Sequence, residues 1–196
     1  MTYHHGNLRE ALLEAATDLL VKEGPQKLSL RAAARQAGVS QSAPYRHFSA
    51  KEELLSAVGQ RGFSRLREQM IQNLEGVSDH RTRLHVVGAA YVDFARNNPH
   101  LFRLMFGPLM SAECKNETLH LQCQECFTVL LEVLSEGQAA GVFKAGNTEL
   151  LANTSWTMVH GVAHLAIDGQ LDPERFGSLT NMLEMLSNHL IDGIKA

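Results

Sequence analysis

The sequence predicts an all-α fold: a small three-helix head carrying a helix-turn-helix, followed by a larger helical bundle, with about nine helices in all. Three observations predict it. Apolar residues recur three and four positions apart along most of the chain. No segment has the two-residue alternation of a half-buried strand bounded by turns. Clusters of Gly, Pro and Asn cut the periodic runs into helix-sized pieces.

In chain order, Tyr3-His4-His5-Gly6 reads as a short arm, and Asn7 as an N-cap with Glu10 completing a capping box. Leu8, Leu12, Ala15, Ala16, Leu19 and Leu20 give the first helix its apolar stripe, which Gly24-Pro25 ends. Ser29 caps a second, alanine-rich helix. Gly38 then supplies the residue that can leave a helix through positive φ, and Val39 plugs the corner. Ser40 is expected to cap a short third helix over Gln41–His47, with Pro44 tolerated only in its first turn. Ser49-Ala50-Lys51-Glu52 forms a second capping box and opens a long helix. Leu54, Leu55, Val58, Phe63, Leu66 and Met70 carry its stripe to about Leu74.

Beyond it, a helix is expected over Asp79–Asn97 and a short one from Pro99, closed by Gly107-Pro108. A long helix follows over Ser111–Ala140, ended by Gly141, then one over Thr148–Asp168 capped by Asn147. The last is expected to start at Asp172-Pro173 and run through Leu190 or Ile191. Functionally the chain divides at 50/51, into a head over 1–50 and a regulatory, ligand-binding and dimerisation domain over 51–196.

The 196 residues carry a net charge of −3, unevenly spread. Residues 1–65 hold nine Lys and Arg against six Asp and Glu, so +3, which leaves −6 for the remainder. A basic head on an acidic body suits a polyanion at one end. Three cysteines, Cys114, Cys123 and Cys126, are too few for a disulfide framework and suit a reducing cytoplasm. Glu10, Glu14 and Asp18 interrupt any apolar leader, and no apolar run is long enough to span a bilayer.

Helix, Gly-containing turn and second helix is the plan of a DNA reader whose second helix enters the major groove. Gln41 can bond an adenine edge through two contacts, Ser42 bonds either purine or pyrimidine, and the Ala43 methyl meets a thymine methyl. Phe48 seats the helix in the head core. Ser29, Ala34, Ala37-Gly38-Val39-Ser40, Tyr45-Arg46-His47-Phe48, Lys51 and Leu54 together resemble the N-terminal signature of TetR-type (TetR/AcrR) transcriptional regulators, and Leu12–Gly24 resembles that family's first helix. The resemblance covers the first third of the chain. Family members often carry a Gly-Thr-Leu-type run where this chain has Ser42-Ala43-Pro44, and a larger aliphatic at Ala33. It implies DNA contacts from Ser29, Ser40, Gln41, Ser42, Ala43, Tyr45, Arg46, His47 and Lys51, with Tyr45 and His47 on backbone phosphates. Lys51 and the amides beside it are expected to face the same phosphate-sized site.

In the body, Trp156, His160 and His164 are four apart on one helix face, and W-x-x-x-H-G over 156–161 is similar to a TetR C-terminal subgroup named WHG. Gly161 is expected at a close helix–helix approach. An aromatic wall with polar tips is how small-molecule sites are built. The expected lining of an effector pocket is Phe63, Tyr91, Phe94, Phe102, Met105, Phe106, Phe127, Trp156 and His160, suited to an apolar or aromatic ligand, although most of this content must be core. His160 and His164 have metal-ligand spacing without the Glu of a zinc hydrolase. His120, Cys123 and Cys126 fall short of a four-ligand zinc set, and structural roles are expected for both groups. No cofactor or metal is expected.

Leu165, Phe176, Leu179, Met182, Leu183, Leu186, Leu190 and Ile194 give the last two helices more apolar surface than a terminal hairpin needs. The resemblance implies that they pair with their copies in a four-helix dimer interface, placing two heads on two half-sites. The reading is a cytoplasmic homodimeric regulator of a double-stranded operator, a repressor released by a small molecule. The alternative is an activator or co-regulator with the same head and a protein partner. An enzyme is the poorest reading, because no nucleophile, base and oxyanion donors are ordered along the chain.

Overall fold

The computed structural model describes residues 8–108, 110, 117–172, 174 and 177–194. Among the described residues are eight α-helices and one 3-10 turn. They are α1 (Leu8–Glu23), α2 (Leu30–Gln36), the 3-10 turn (Ala43–Arg46), α3 (Lys51–Leu74), α4 (His80–Asn97), α5 (Pro99–Met105), α6 (Glu117–Ala139), α7 (Thr148–Ile167) and α8 (Leu179–Ile194). The expected all-α class is what the chain adopts. By its contacts it divides into two units, residues 1–63 with 98–122, and residues 64–97 with 123–196. These units cut the chain differently from the division expected at 50/51.

The first unit is built on α1, whose Leu12, Ala16 and Leu20 are fully buried together with Leu28, Ala33, Ala34, Phe48, Leu54 and Val58. Gly24, at φ +81°, ends α1 through its amide on the Leu20 carbonyl at 3.0 Å. Ser29 caps α2 as expected, its hydroxyl accepting the Ala32 amide at 3.1 Å. Gly38 ends α2 at φ +69°. Its amide reaches the Arg35 carbonyl and the Val39 amide reaches that of Ala34, the paired bonds of a glycine C-terminal motif. Alanines at 33 and 34 let neighbouring helices approach closely. The Arg9 guanidinium lies over the Phe48 ring at 5.4 Å, and Arg61 of α3 pairs with Glu10 of α1.

Two glycines of α3 form a notch in this unit. A Cβ on Gly59 would stand 2.6 Å from the Met110 sulfur, and one on Gly62 would stand 2.5 Å from the Met105 sulfur. Both methionines are buried. The helix backbone is bare there so that α5 and the segment after it can lie against it.

In the second unit α4 packs against both α7 and α8. The close approach expected at Gly161 occurs instead at Gly88 of α4, where a Cβ would meet Val159 of α7 at 3.3 Å. Among the described residues nothing outside its own helix turn comes within 4 Å of that position on Gly161. The Phe143 ring fills the space a side chain at Gly137 would need. The Lys144 amide and ammonium hold the end of α8, on the Ile194 carbonyl at 2.6 Å and the Gly193 carbonyl at 3.0 Å. Gln69 of α3 donates to the Ala90 carbonyl of α4 at 3.0 Å. Asn147 caps α7 through the Leu150 amide at 2.9 Å, as expected.

Three expected boundaries change. The third helix of the head is only the 3-10 turn: an α-helix starting at Ser40 would need the Pro44 amide to donate to the Ser40 carbonyl, and Pro44 has no N–H. The Ala43 amide takes that carbonyl instead at 3.0 Å, and the Ser40 hydroxyl pairs with Ser42 at 3.3 Å rather than capping. The box at α3 uses Glu53, not Glu52, because α3 begins at Lys51. The last helix starts at Leu179, with the Ser178 hydroxyl accepting the Asn181 amide at 3.2 Å, whereas Asp172 closes a local turn on the Glu174 amide at 2.9 Å. The expectations on Tyr3–Asn7, Ser111 and the start of its helix, Cys114, Pro173 and Phe176 lie outside the described residues.

Two substitutions test this packing in urea unfolding. Gly62→Ala is expected to lower stability by about 1–3 kcal/mol, since Met105 must leave its notch. Ser29→Ala is expected to lower it by about 1 kcal/mol through the lost cap.

Candidate nucleic-acid interface and effector face

Buried Pro44 and Phe48 fix the 3-10 turn to the head. Around them Ser40, Gln41, Ser42, Tyr45 and Arg46 are exposed, Ala43 and His47 half-buried. Tyr45 is 53% exposed, its ring and hydroxyl open to a partner. The structure therefore gathers the predicted DNA-contact residues on one short segment, with Gln41 and Ser42 in the turn ahead of it rather than on a helix. Ser29 stands apart as the cap of α2, half-buried.

Lys51 is half-buried at the start of α3, its ammonium donating to the Pro25 carbonyl at 3.4 Å and retaining two further protons to donate. The neighbouring amide expected to face a phosphate is otherwise engaged. The Ser49 amide at 2.6 Å and hydroxyl at 2.9 Å both donate to one Glu53 oxygen. Those two bonds, with help from Arg9, hold the Glu53 carboxyl below its ordinary range. The Glu53 carboxylate and the Lys51 ammonium thus lie at the same end of α3.

The residues expected to line a pocket divide between the units. Phe63, Phe102, Met105 and Phe106 belong to the first. Phe106 meets Phe63 edge-on at 5.4 Å and Phe102 at 4.8 Å, while Phe102 and Met105 are buried. Tyr91, Phe94, Phe127, Trp156 and His160 belong to the second. There the buried Tyr91 hydroxyl lies 2.8 Å from His160 Nδ1 and accepts the Trp156 indole N–H at 3.2 Å. Trp156 stacks obliquely on His160 at 5.0 Å, His164 meets His160 edge-on at 4.6 Å, and Phe127 meets Trp156 edge-on at 6.5 Å.

Burial, then the neighbouring His164, lowers the His160 pKa to about 4. Burial raises the Tyr91 hydroxyl well above its ordinary range and pushes the Cys126 thiol up to about 12. Cys126 is buried, Cys123 half-buried and His120 exposed. Among the described residues no three His, Cys, Asp or Glu side chains are placed to hold a metal.

Comparison with known proteins fixes the class. The family of bacterial regulatory proteins named tetR matches residues 12–58, and the tetracyclin repressor-like C-terminal domain matches residues 84–189, over half the chain. The chain belongs to the TetR family. TetR-family proteins are DNA-binding transcriptional regulators, not enzymes.

The chain is 30% identical to the nucleoid occlusion factor SlmA of Vibrio vulnificus over 66% of this chain and 68% of that one. It is also 30% identical to the transcriptional activator FasR of Mycolicibacterium smegmatis, over 70% of this chain but only 63% of the activator. A solved protein of unknown function from Rhodococcus sp. RHA1 superposes with a TM-score of 0.89 at 32% identity, covering 100% of both chains. No helix among the described residues of this TetR-family chain is long and apolar enough to cross a membrane.

Sequence reading missed several features of this TetR-family chain. The Arg61–Glu10 pair and the Arg9–Phe48 contact tie α1 to segments some forty to fifty residues away, and nothing local announces them. Gly59 and Gly62, three apart within a strong helical run, were a legible sign of close packing. A cleft of about 310 Å³ in the second unit, lined by Ile71, Leu74, Glu75, Arg83, Val129, Glu132 and Val133, contains none of the residues expected in a pocket.

The His160 pKa carries a pH prediction. Its folded value of about 4 lies below the ordinary 6.5, so the unfolded chain takes up the proton first. The contribution of His160 to stability is present above pH 6.5 and lost as pH falls toward 4. Thermal unfolding across that window is expected to show a falling midpoint, and His160→Phe to flatten the fall.

Proposed function

We propose that this protein is a cytoplasmic, homodimeric repressor whose two heads bind a palindromic operator and release it when a small molecule occupies the second unit. The observation that carries the DNA half is the exposed array of Gln41, Ser42, Tyr45 and Arg46 over a buried Pro44–Phe48 base, inside the segment that matches the family's DNA-binding region. Gln41, Ser42 and Ala43 read base edges. Tyr45, Arg46, His47 and Lys51 hold phosphates, with Ser29 contributing from the start of α2 and Ser40 from the turn, and so set register without specifying sequence.

The effector meets Tyr91, Phe127, Trp156 and His160, an aromatic surface with a polar centre suited to an apolar or aromatic molecule. The 24-residue α3 contributes to both units, so a shift at its body end reaches its Lys51 end along one helix. Release requires the effector to favour one of two head spacings over the other. Dimerisation is supported by apolar side chains left bare on α7 and α8: Leu150 is 67% exposed, Leu165 41% and Met185 52%. Gly161, with open space over it, lets a second backbone come close.

The resemblance to an activator, FasR, favours a second reading, in which the same head recruits rather than blocks and the body answers to a protein partner.

The DNA half is tested by operator binding against salt concentration. Tyr45→Ala and Lys51→Ala are each expected to weaken binding, and Lys51→Ala to reduce the salt slope by about 1. Unchanged salt-sensitive affinity in both proteins rejects the phosphate assignment. For the dimer, Leu165→Glu combined with Met185→Glu is expected to give a monomer by light scattering and to lose about a hundredfold in operator affinity through lost bivalency.

A further inference from the structure

The cleft of about 310 Å³ in the second unit has its own chemistry. Its walls come from the last turn of α3, the first turn of α4 and the second half of α6. Val129 and Val133 are buried beneath it, Leu74 is half-buried, and Ile71 is left 38% exposed. Every apolar residue of the lining is aliphatic. The cleft therefore suits an alkyl chain, and it lacks the aromatic rings that hold a quaternary ammonium. Its volume falls at the small end of the range for ligand sites.

The charges around it are uneven. Arg83 is the only cation among the lining residues, and its charge is already answered. Its Nη2 pairs with the Glu136 carboxylate at 3.1 Å, its Nη1 donates to the Val77 carbonyl at 3.0 Å, and its Nε is buried away from solvent. Glu75, just past α3, and Glu132 of α6 are both exposed. Neither carboxylate has an ion-pair or hydrogen-bond partner among the described residues. An alkyl acid entering the cleft meets two uncompensated carboxylates. An alkyl alcohol leaves them uncompensated. An alkyl ammonium brings the opposite charge and three N–H donors.

We propose that this cleft is a second ligand site, separate from the Tyr91 face, and that it takes a primary aliphatic amine. The alkyl chain lies on Ile71, Leu74, Val129 and Val133, and the ammonium meets Glu75 and Glu132. The site stands on these residues alone and does not depend on the effector reading given above. It lies at the opposite end of α3 from Lys51, where a bound amine links the end of α3 to α6.

The test uses the full-length protein with carbon-13 in its Ile, Leu and Val methyl groups, titrated at pH 7 with n-hexylamine, 1-hexanol, hexanoate and hexyltrimethylammonium. Single substitutions assign the cleft signals. Hexylamine is expected to move the Ile71, Leu74 and Val129 methyls and to bind about fivefold tighter than hexanol, the upper end for an exposed ion pair. Hexanoate is expected to leave those methyls in place, and hexyltrimethylammonium, which has the charge without the N–H groups, to bind more weakly than hexylamine. Glu75→Gln combined with Glu132→Gln changes two exposed side chains outside the core. It is expected to bring hexylamine down to the affinity of hexanol with the thermal midpoint unchanged.

Equal affinity for hexylamine and hexanol in the native protein overturns the amine assignment. So does tighter binding of hexanoate, which would put Arg83 in command of the cleft. Hexyltrimethylammonium binding as tightly as hexylamine overturns the choice of a primary amine. Cleft methyls that no probe moves overturn the site itself and leave the Tyr91 face untouched, because none of the reporting methyls lies on it.

Discussion

The buried ring of Phe48 is the contact on which the rest of the first unit depends. It sits between the Ala43–Arg46 turn and α3, with the Arg9 guanidinium of α1 across its face. Through this ring α1 meets the segment that joins the turn to α3. The turn itself has little to hold it: four residues, one of them a proline, with no side-chain cap. Its orientation is set by what lies under it, and because Phe48 and Pro44 are buried, Tyr45 and Arg46 must point outward. Exposure of the residues expected to face DNA is thus a consequence of core packing.

The second unit relies on a different balance. Tyr91, Trp156 and His160 bring three polar groups into a largely apolar setting, and each is satisfied by another. Replacing Tyr91 removes both of these hydrogen bonds, which costs more than the bonds themselves contribute. Such a network holds its geometry closely, and a fixed polar group among aromatic rings is what selective recognition of a small molecule requires. Burial is also what lowers the His160 pKa to about 4 and pushes the Cys126 thiol up to about 12.

Most of the helices were legible from the sequence because their signals are local. Ser29, Asn147, Gly24, Gly38 and Gly141 mark caps and exits through their own backbone or side chain, and α3 runs from Lys51 to Leu74 as its apolar stripe requires. The third helix of the head was misjudged for an equally local reason, the missing amide of Pro44, whose effect depends on which carbonyl would have needed it. The start of α8 was misplaced because Asp172 and Ser178 are both plausible caps, and only the course of the backbone assigned Asp172 to a turn and Ser178 to the helix.

By itself the sequence determined the all-α class, the helix-turn-helix and the family, since periodicity, caps and a dense motif are all written in neighbouring residues. Tertiary structure decided the rest: that Glu53 takes the Ser49 amide, that Gly88 and not Gly161 receives a neighbour within the chain, and that Tyr91 meets His160 across 69 positions. Those outcomes depend on distances between residues far apart in the chain. Such distances are fixed only when whole helices pack, and no local pattern encodes them.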